Sequence, residues 1–166
     1  MPLPRGPRAP HLSVPIAKER ALSTPTPLPG HGVCFVCGHE NPCGLGLDWY
    51  RDGERVASDF TTAPTLQGPP GHVHGGASAA ILDEAMGKIV WLSGLQVVLA
   101  TMTLDYAKPT PLGVQVRAEA WIERIEGRKA YAASHLLLSD GSVAVRATGL
   151  YIDVPDFFHG RHAYAG

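Results

Sequence analysis

The stretch Gly71-His72-Val73-His74-Gly75-Gly76, followed nine positions after His74 by Asp83, brings together residue types that can do chemistry. Two glycines just before a helix leave its first N–H groups uncovered by side chains, and those groups have no partners inside the helix. They form a small electropositive pocket suited to negative charge on oxygen. Asp83 lies seven residues after Gly76, so its carboxylate returns to nearly the same helix face. Amide donors and a carboxylate can thus share one cleft. The plainer reading of these residues is a glycine turn leading into a core helix that carries a solvated Asp-Glu pair.

Glu84 is the rival carboxylate. One residue along a helix turns the side chain by about a hundred degrees, so if Asp83 faces the cleft Glu84 does not. Lys88 at i+4 offers Glu84 an ordinary ion-pair partner.

A second chemical cluster is Cys34-Phe-Val-Cys37-Gly-His39-Glu-Asn41-Pro42-Cys43-Gly44. C-x2-C with His31, His39 and Cys43 nearby could supply four N and S ligands to a metal. However, no second C-x2-C or H-x3-H pair closes a tetrahedron, and Asn41-Pro42 before Gly44 reads as a turn. The expectation is therefore a buried cysteine pair leading into a strand, with no metal.

The elements that must position these residues follow from periodicity. Ile81, Ala85, Ile89 and Leu92, widened by Leu82 and Met86, predict a helix over 77–92 with one apolar stripe. A narrower stripe of Gly76, Ala79, Ala80, Asp83 and Gly87 lets another backbone come close. Upstream, 45–51 and 54–61 read as a hairpin with a type I′ signal at Asp52-Gly53, and 63–71 as a loop delivering the chain to the helix. Downstream, 97–106, 114–125, 129–138 and 142–153 read as four strands, turned at Glu126-Gly127 and Asp140-Gly141. In the first of these, Val98, Ala100, Met102, Leu104 and Tyr106 are expected to face inward, opposite Thr101, Thr103 and Asp105. One long helix among antiparallel strands is an α+β layout. The many inward alanines, including Ala118, Ala120, Ala130, Ala132 and Ala147, allow a curved sheet to wrap that helix. Such a sheet leaves a long edge needing a partner, and a dimer is expected.

At 166 residues the chain fits one domain. A formal net charge of -1 and the lack of a basic tract argue against a nucleic-acid partner. Asp83, Glu84 and Lys88 interrupt the longest apolar run well before the roughly 18 residues of a membrane span. Residues 1–33, rich in proline, read as a mobile arm with room for a helical turn at 16–22; 34–154 reads as the folded domain and 155–166 as a tail. Three cysteines without an export signal suggest reduced thiols and a cytoplasmic location.

The motif of residues 71–76, Asp83 nine positions after His74, and Asp105-Tyr106-Ala-Lys108-Pro109 together resemble the hotdog-fold acyl-CoA thioesterases. The likeness is to the small single-domain branch that includes the phenylacetate-pathway and 4-hydroxybenzoyl-CoA enzymes, and it covers about residues 34–154. Cys37-Gly38, Asn41-Pro42, Gly44-Leu45 and Glu126-Gly127-Arg128-Lys129 share it. The resemblance implies a curved antiparallel sheet around one central helix, and hydrolysis of an acyl-CoA to free acid and coenzyme A without a cofactor.

By the same resemblance, Asp83 attacks the thioester or activates water, Gly75 supplies the N–H that polarises the carbonyl, and His74 holds the loop. A fixed amide at a helix start is the kind of donor that stabilises an acyl-transfer oxyanion, typically worth ~3 kcal/mol. Gly76 and Gln67 would line the substrate site, although the family's amide often stands six residues before the histidine, where this chain has Gly68. The neighbouring subunit would bring a hydroxyl; the aligned position is Leu99, leaving Thr101 or Thr103. Lys108, Arg128 and Lys129 are candidates for the coenzyme A phosphates. A homodimer is implied, with further pairing into tetramers left open. The alternatives are a non-catalytic acyl-CoA-sensing module and, ranked lower, a hotdog dehydratase.

Overall fold

The computed structural model describes residues 24–158. Seven strands form one antiparallel sheet: β1 (Thr26–Leu28), β2 (Trp49–Asp52), β3 (Arg55–Thr61), β4 (Val97–Tyr106), β5 (Gln115–Glu126), β6 (Lys129–Leu138) and β7 (Val143–Asp153). Between β3 and β4 runs the helix α1 (Gly75–Leu92), and a short α2 (Pro155–Phe158) follows β7. The sheet order is β1-β2-β3-β5-β6-β7-β4, so β1 and β4 are its edges. The chain leaves the sheet after β3, forms α1 against it, and returns at the far edge as β4 before β5 to β7 fill the gap.

This wrapping follows from side-chain size. Helix α1 packs against β3, β4, β5, β6 and β7. Its Ile81, Leu82, Ala85, Met86 and Val90 are buried against Val56, Val116, Leu136 and Val145 of the sheet. Ala118, Ala120, Ala130, Ala132 and Ala147 are buried in the same core, and their small side chains let the strands bend closely around the helix. The helix stripe holds as expected except at its end, where Leu92 is exposed and Val90 takes the inward place.

Several boundaries differ from the sequence expectation, each for a local reason. The helix starts at Gly75 rather than at 77 because the His74 side chain caps it. Strand β2 begins at Trp49 rather than at 45, since Leu45 and Leu47 spend their N–H groups on Phe35 and Val36 carbonyls. The β2–β3 register pairs Asp52 with Arg55, leaving Gly53 and Glu54 as the turn. Only Gly53 has positive φ, at 62°, which is the II′ pattern rather than I′.

Strand β4 carries the largest correction. A bulge between Leu99 and Thr101 resets the alternation, so Val97, Leu99, Met102 and Leu104 pack against the core while Ala100 is exposed. Val98 and Ala100 therefore do not take the inward places that strict alternation predicts.

Strand β1 lies within the segment expected to be an arm: Pro27 pairs with Tyr50, and the neighbouring Pro29 carbonyl accepts a hydrogen bond from buried Lys88 Nζ at 3.2 Å. The helical turn anticipated at 16–22 falls outside the described residues. No helix among the described residues is long and apolar enough to cross a membrane.

Candidate active site

The loop before α1 is a small braced structure. Gln67 and Val73 form an isolated antiparallel bridge, His74 N–H donates to Leu66 O at 2.7 Å, and Val73 N–H to Thr110 O at 2.9 Å. Gly71 has φ 77°, where an L side chain would be strained. Gln67 Oε1 accepts the Gly71 N–H at 3.2 Å, so this amide oxygen is spent on the loop. At Gly68 a Cβ would come within 2.7 Å of His74 Cα. This close approach explains why the chain has glycine, and not an amide side chain, six residues before His74.

His74 Nδ1 accepts the Gly76 N–H at 2.9 Å, an N-cap by an imidazole in place of the usual hydroxyl or carboxylate. Accepting there leaves the ring proton on Nε2 when the imidazole is neutral. The next two amides, of Ala77 and Ser78, point to the His74 carbonyl. Among the described residues no acceptor faces the Gly75 N–H, which is the amide available to an incoming oxygen. Tyr106 Oη donates to Gly75 O at 2.8 Å and fixes the peptide from the β4 side.

Two turns along α1, the half-buried Asp83 accepts a hydrogen bond from Tyr151 Oη at 2.6 Å through Oδ1. Burial pushes the Asp83 carboxyl above its ordinary range, the Tyr151 hydrogen bond opposes that, and the nearby Glu84 charge adds to it. Tyr151 itself is buried and its phenol is driven far up, first by desolvation and then by Asp83. Its ring occupies room left by two glycines: a Cβ on Gly149 would lie 2.9 Å from Tyr151 Cε2, and one on Gly87 would lie 3.9 Å from Cε1. Tyr151 is absent from the sequence expectation; the only signal for it is an inward aromatic two residues after a strand glycine.

Glu84 leaves α1 on another side. Its Oε1 lies 3.3 Å from Lys88 Nζ, the expected i, i+4 pair, but the pair is buried rather than solvated. Its Oε2 accepts from the Cys34 thiol at 3.7 Å. The cysteine segment thus meets the central helix through a carboxylate that sequence spacing could not associate with it. Of the other candidate ligands, His39 pairs with Asp48 and Cys43 is exposed.

The remaining expected residues divide by position. Thr101 and Thr103 stand exposed on edge strand β4, on the face opposite to Met102 and Leu104, and neither hydrogen-bonds Asp83 within the chain. Leu99, the aligned position, packs against the core. Lys108 follows β4 near the Tyr106 and Gly75 end, where its N–H donates to Ala144 O at 3.0 Å. Arg128 and Lys129 lie at the opposite end of that strand, whose nine steps span about 30 Å, because Arg128 grips the Asp153 carbonyl and Asp153 pairs with Val97. The three cations do not gather at one place in the chain. Two surface grooves, one among Arg55, Leu92 and Trp121 and the other among Val98, Arg128 and Phe157, both exclude Asp83.

Residues 70–145 match the family model for the Thioesterase superfamily. Among curated relatives, the chain is 37% identical over 115 residues to an acyl-coenzyme A thioesterase, THEM4, of Xenopus laevis, covering 66% of this chain and 51% of that protein. It is 36% identical over 119 residues to THEM4 of Rattus norvegicus, covering 68% and 51%. The chain thus spans about half the length of the curated relatives it matches. Among solved structures, a thioesterase superfamily protein superposes with a TM-score of 0.70 at 32% identity, covering 73% of this chain and 60% of that one. Residues 70–145 are thus a thioesterase-superfamily region, and the seven-stranded sheet curved around one helix is the hotdog fold.

Proposed function

We propose that this chain hydrolyses acyl-coenzyme A thioesters, with Asp83 as nucleophile or general base and the Gly75 N–H as oxyanion donor. The observation that carries the reading is the pairing, on one helix, of an uncommitted N-terminal amide with a half-buried carboxylate held by Tyr151. The names of its curated relatives supply the substrate class.

In the general-base route, a water oxygen adds to the thioester carbonyl carbon while Asp83 takes its proton. The carbonyl oxygen gains the charge and is met by a Gly75 N–H, supplied by the second copy because Gly75 and Asp83 of one helix stand about 12 Å apart along its axis. Collapse breaks the C–S bond, and the proton returns to the departing coenzyme A thiolate. In the nucleophile route, Asp83 attacks the carbonyl carbon and expels coenzyme A thiolate to form a mixed anhydride; water then hydrolyses it to the free acid, regenerating Asp83, and a proton from that water goes to the thiolate. His74 holds the donor in place and need not change protonation.

Exposed Thr101 and Thr103 on an unpaired edge fit a site shared between two copies, the far wall coming from the partner's β4. Coenzyme A, a homodimer and a cytoplasmic setting with reduced thiols complete the reading; the free state of Cys34, Cys37 and Cys43 agrees with the last. Incubation of the purified chain with short, long and aryl acyl-CoAs and a thiol reagent tests it. Release of coenzyme A thiol that is lost in Asp83→Asn supports hydrolysis, whereas binding without released thiol refutes it in favour of a sensor.

A further inference from the structure

Residues 31–37 form a strap that meets α1 at Glu84, and three side chains with metal-binding atoms, His31, Cys37 and Glu84, converge there with Cys34 beside them. His31 Nδ1, Cys37 Sγ and a Glu84 carboxylate oxygen lie within 4.8 Å of one another. Cys37 Sγ is 3.5 Å from His31 Nδ1, and Cys34 Sγ is 3.7 Å from Glu84 Oε2. Two ligands bound to one tetrahedral zinc at about 2.0 to 2.3 Å are separated by roughly these distances. We propose that His31, Cys37 and Glu84, joined by the Cys34 thiol as it turns from Glu84 toward them, bind one zinc-class divalent cation, which staples the strap to the central helix.

Three further features suit that ligand set. The Val36 N–H already points at Cys34 Sγ, at 3.4 Å, as an amide does toward a metal-bound thiolate. The strap turns at Gly38, where a Cβ would lie 2.4 Å from Cys34 N and 2.6 Å from Cys34 O, so glycine lets the backbone fold tightly over the cysteine segment. Charge balances as well: two thiolates, one carboxylate and a divalent cation sum to -1, and the buried Lys88 beside Glu84 brings the cluster to neutrality. Glu84 Oε1 is itself buried, facing Lys88 without a well-aligned hydrogen bond. Soft thiolates with an imidazole select zinc over magnesium or calcium.

The site is structural and separate from Asp83, and its tests are read by metal content and spectra. The tag-free full chain is purified without chelator and its metal measured by mass spectrometry; one zinc per chain is expected. Chelated protein titrated with cobalt should develop thiolate charge-transfer and intense tetrahedral bands at one equivalent. Glu84→Gln and His31→Ala should weaken cobalt affinity by at least about tenfold, and Cys43→Ser should leave it unchanged. Because Cys37→Ser at a buried position can fail to fold, the wild-type titration decides. Substoichiometric zinc with no cobalt spectrum, or a Cys34–Cys37 disulfide that persists under reducing conditions, overturns the proposal.

Discussion

Tyr151 Oη lies 2.6 Å from Asp83 Oδ1 and 3.0 Å from the Asp83 main-chain carbonyl, so one buried phenol on β7 grips both ends of a single residue on α1. The contact joins residues 68 apart in sequence and sets the direction of the carboxylate.

Replacing Asp83 with Asn keeps an oxygen for Tyr151 and removes the base or nucleophile. Turnover should fall by about a hundredfold or more, measured as kcat on acyl-CoA. Burial holds the folded carboxyl above its unfolded range. The resulting stabilisation is present below the unfolded pKa and is lost as pH rises through the folded one, so the buried carboxyl does not add to stability on the alkaline side of that range. The variant should therefore melt no lower than wild type at pH 7, and a lower Tm with intact activity would contradict both claims.

Tyr151→Phe removes the donor and acts by positioning. A hydrogen bond to a charged group is worth about 1.5 to 3 kcal/mol, so kcat should drop roughly ten- to a hundredfold with little change in KM. The bond holds the Asp83 pKa down, and its loss should move the acid limb of the pH–rate profile upward. An unshifted profile would remove Tyr151 from the mechanism.

His74→Ala deletes the N-cap and should cost about 1 kcal/mol by chemical denaturation, with a larger proportional loss in kcat because Gly75 is no longer held. His74→Asn, which can cap, should recover most of the stability. Gly68→Ala forces a Cβ against His74 Cα and should cost about 1 to 3 kcal/mol. Equal stability in Gly68→Ala and wild type would mean the loop yields freely.

The shared site predicts complementation. Asp83→Asn chains mixed with Thr101→Val chains should regain up to about half of the sites if subunits exchange. If Thr101→Val alone leaves activity intact, Thr103→Val takes its place in the same mixture. A fully active monomer by light scattering would defeat the arrangement.

His135 sits on β6 with its ring edge-on to Trp121, centroids 4.8 Å apart. Burial lowers its pKa, Glu119 opposes this, and Arg146 and Arg55 add to the lowering. Its contribution to stability is present above the unfolded pKa and is lost as pH falls through the folded value. Wild type should thus lose more Tm between pH 7 and pH 5 than His135→Gln does. Identical losses in the two proteins would show that the ring titrates freely.

Much of the scaffold is legible in one dimension because local forces set it. The 3.6-residue stripe of Ile81, Ala85 and Ile89, the alternation of Val116, Ala118 and Ala120, and the glycine turns at Gly53, Gly127 and Gly141 each depend on residues a few positions apart. The loop, helix start and Asp83 are legible for the same reason, since one turn and one helix carry them. What tertiary structure alone decided involves partners distant along the chain. Tyr151 reaches Asp83 across 68 positions, and Cys34 meets Glu84 across 50. The bulge at Ala100 changes which β4 residues face inward, a shift that the strand's own alternating pattern does not announce. Away from that bulge periodicity sets which face a residue occupies; only the folded sheet determines which other residue stands opposite it.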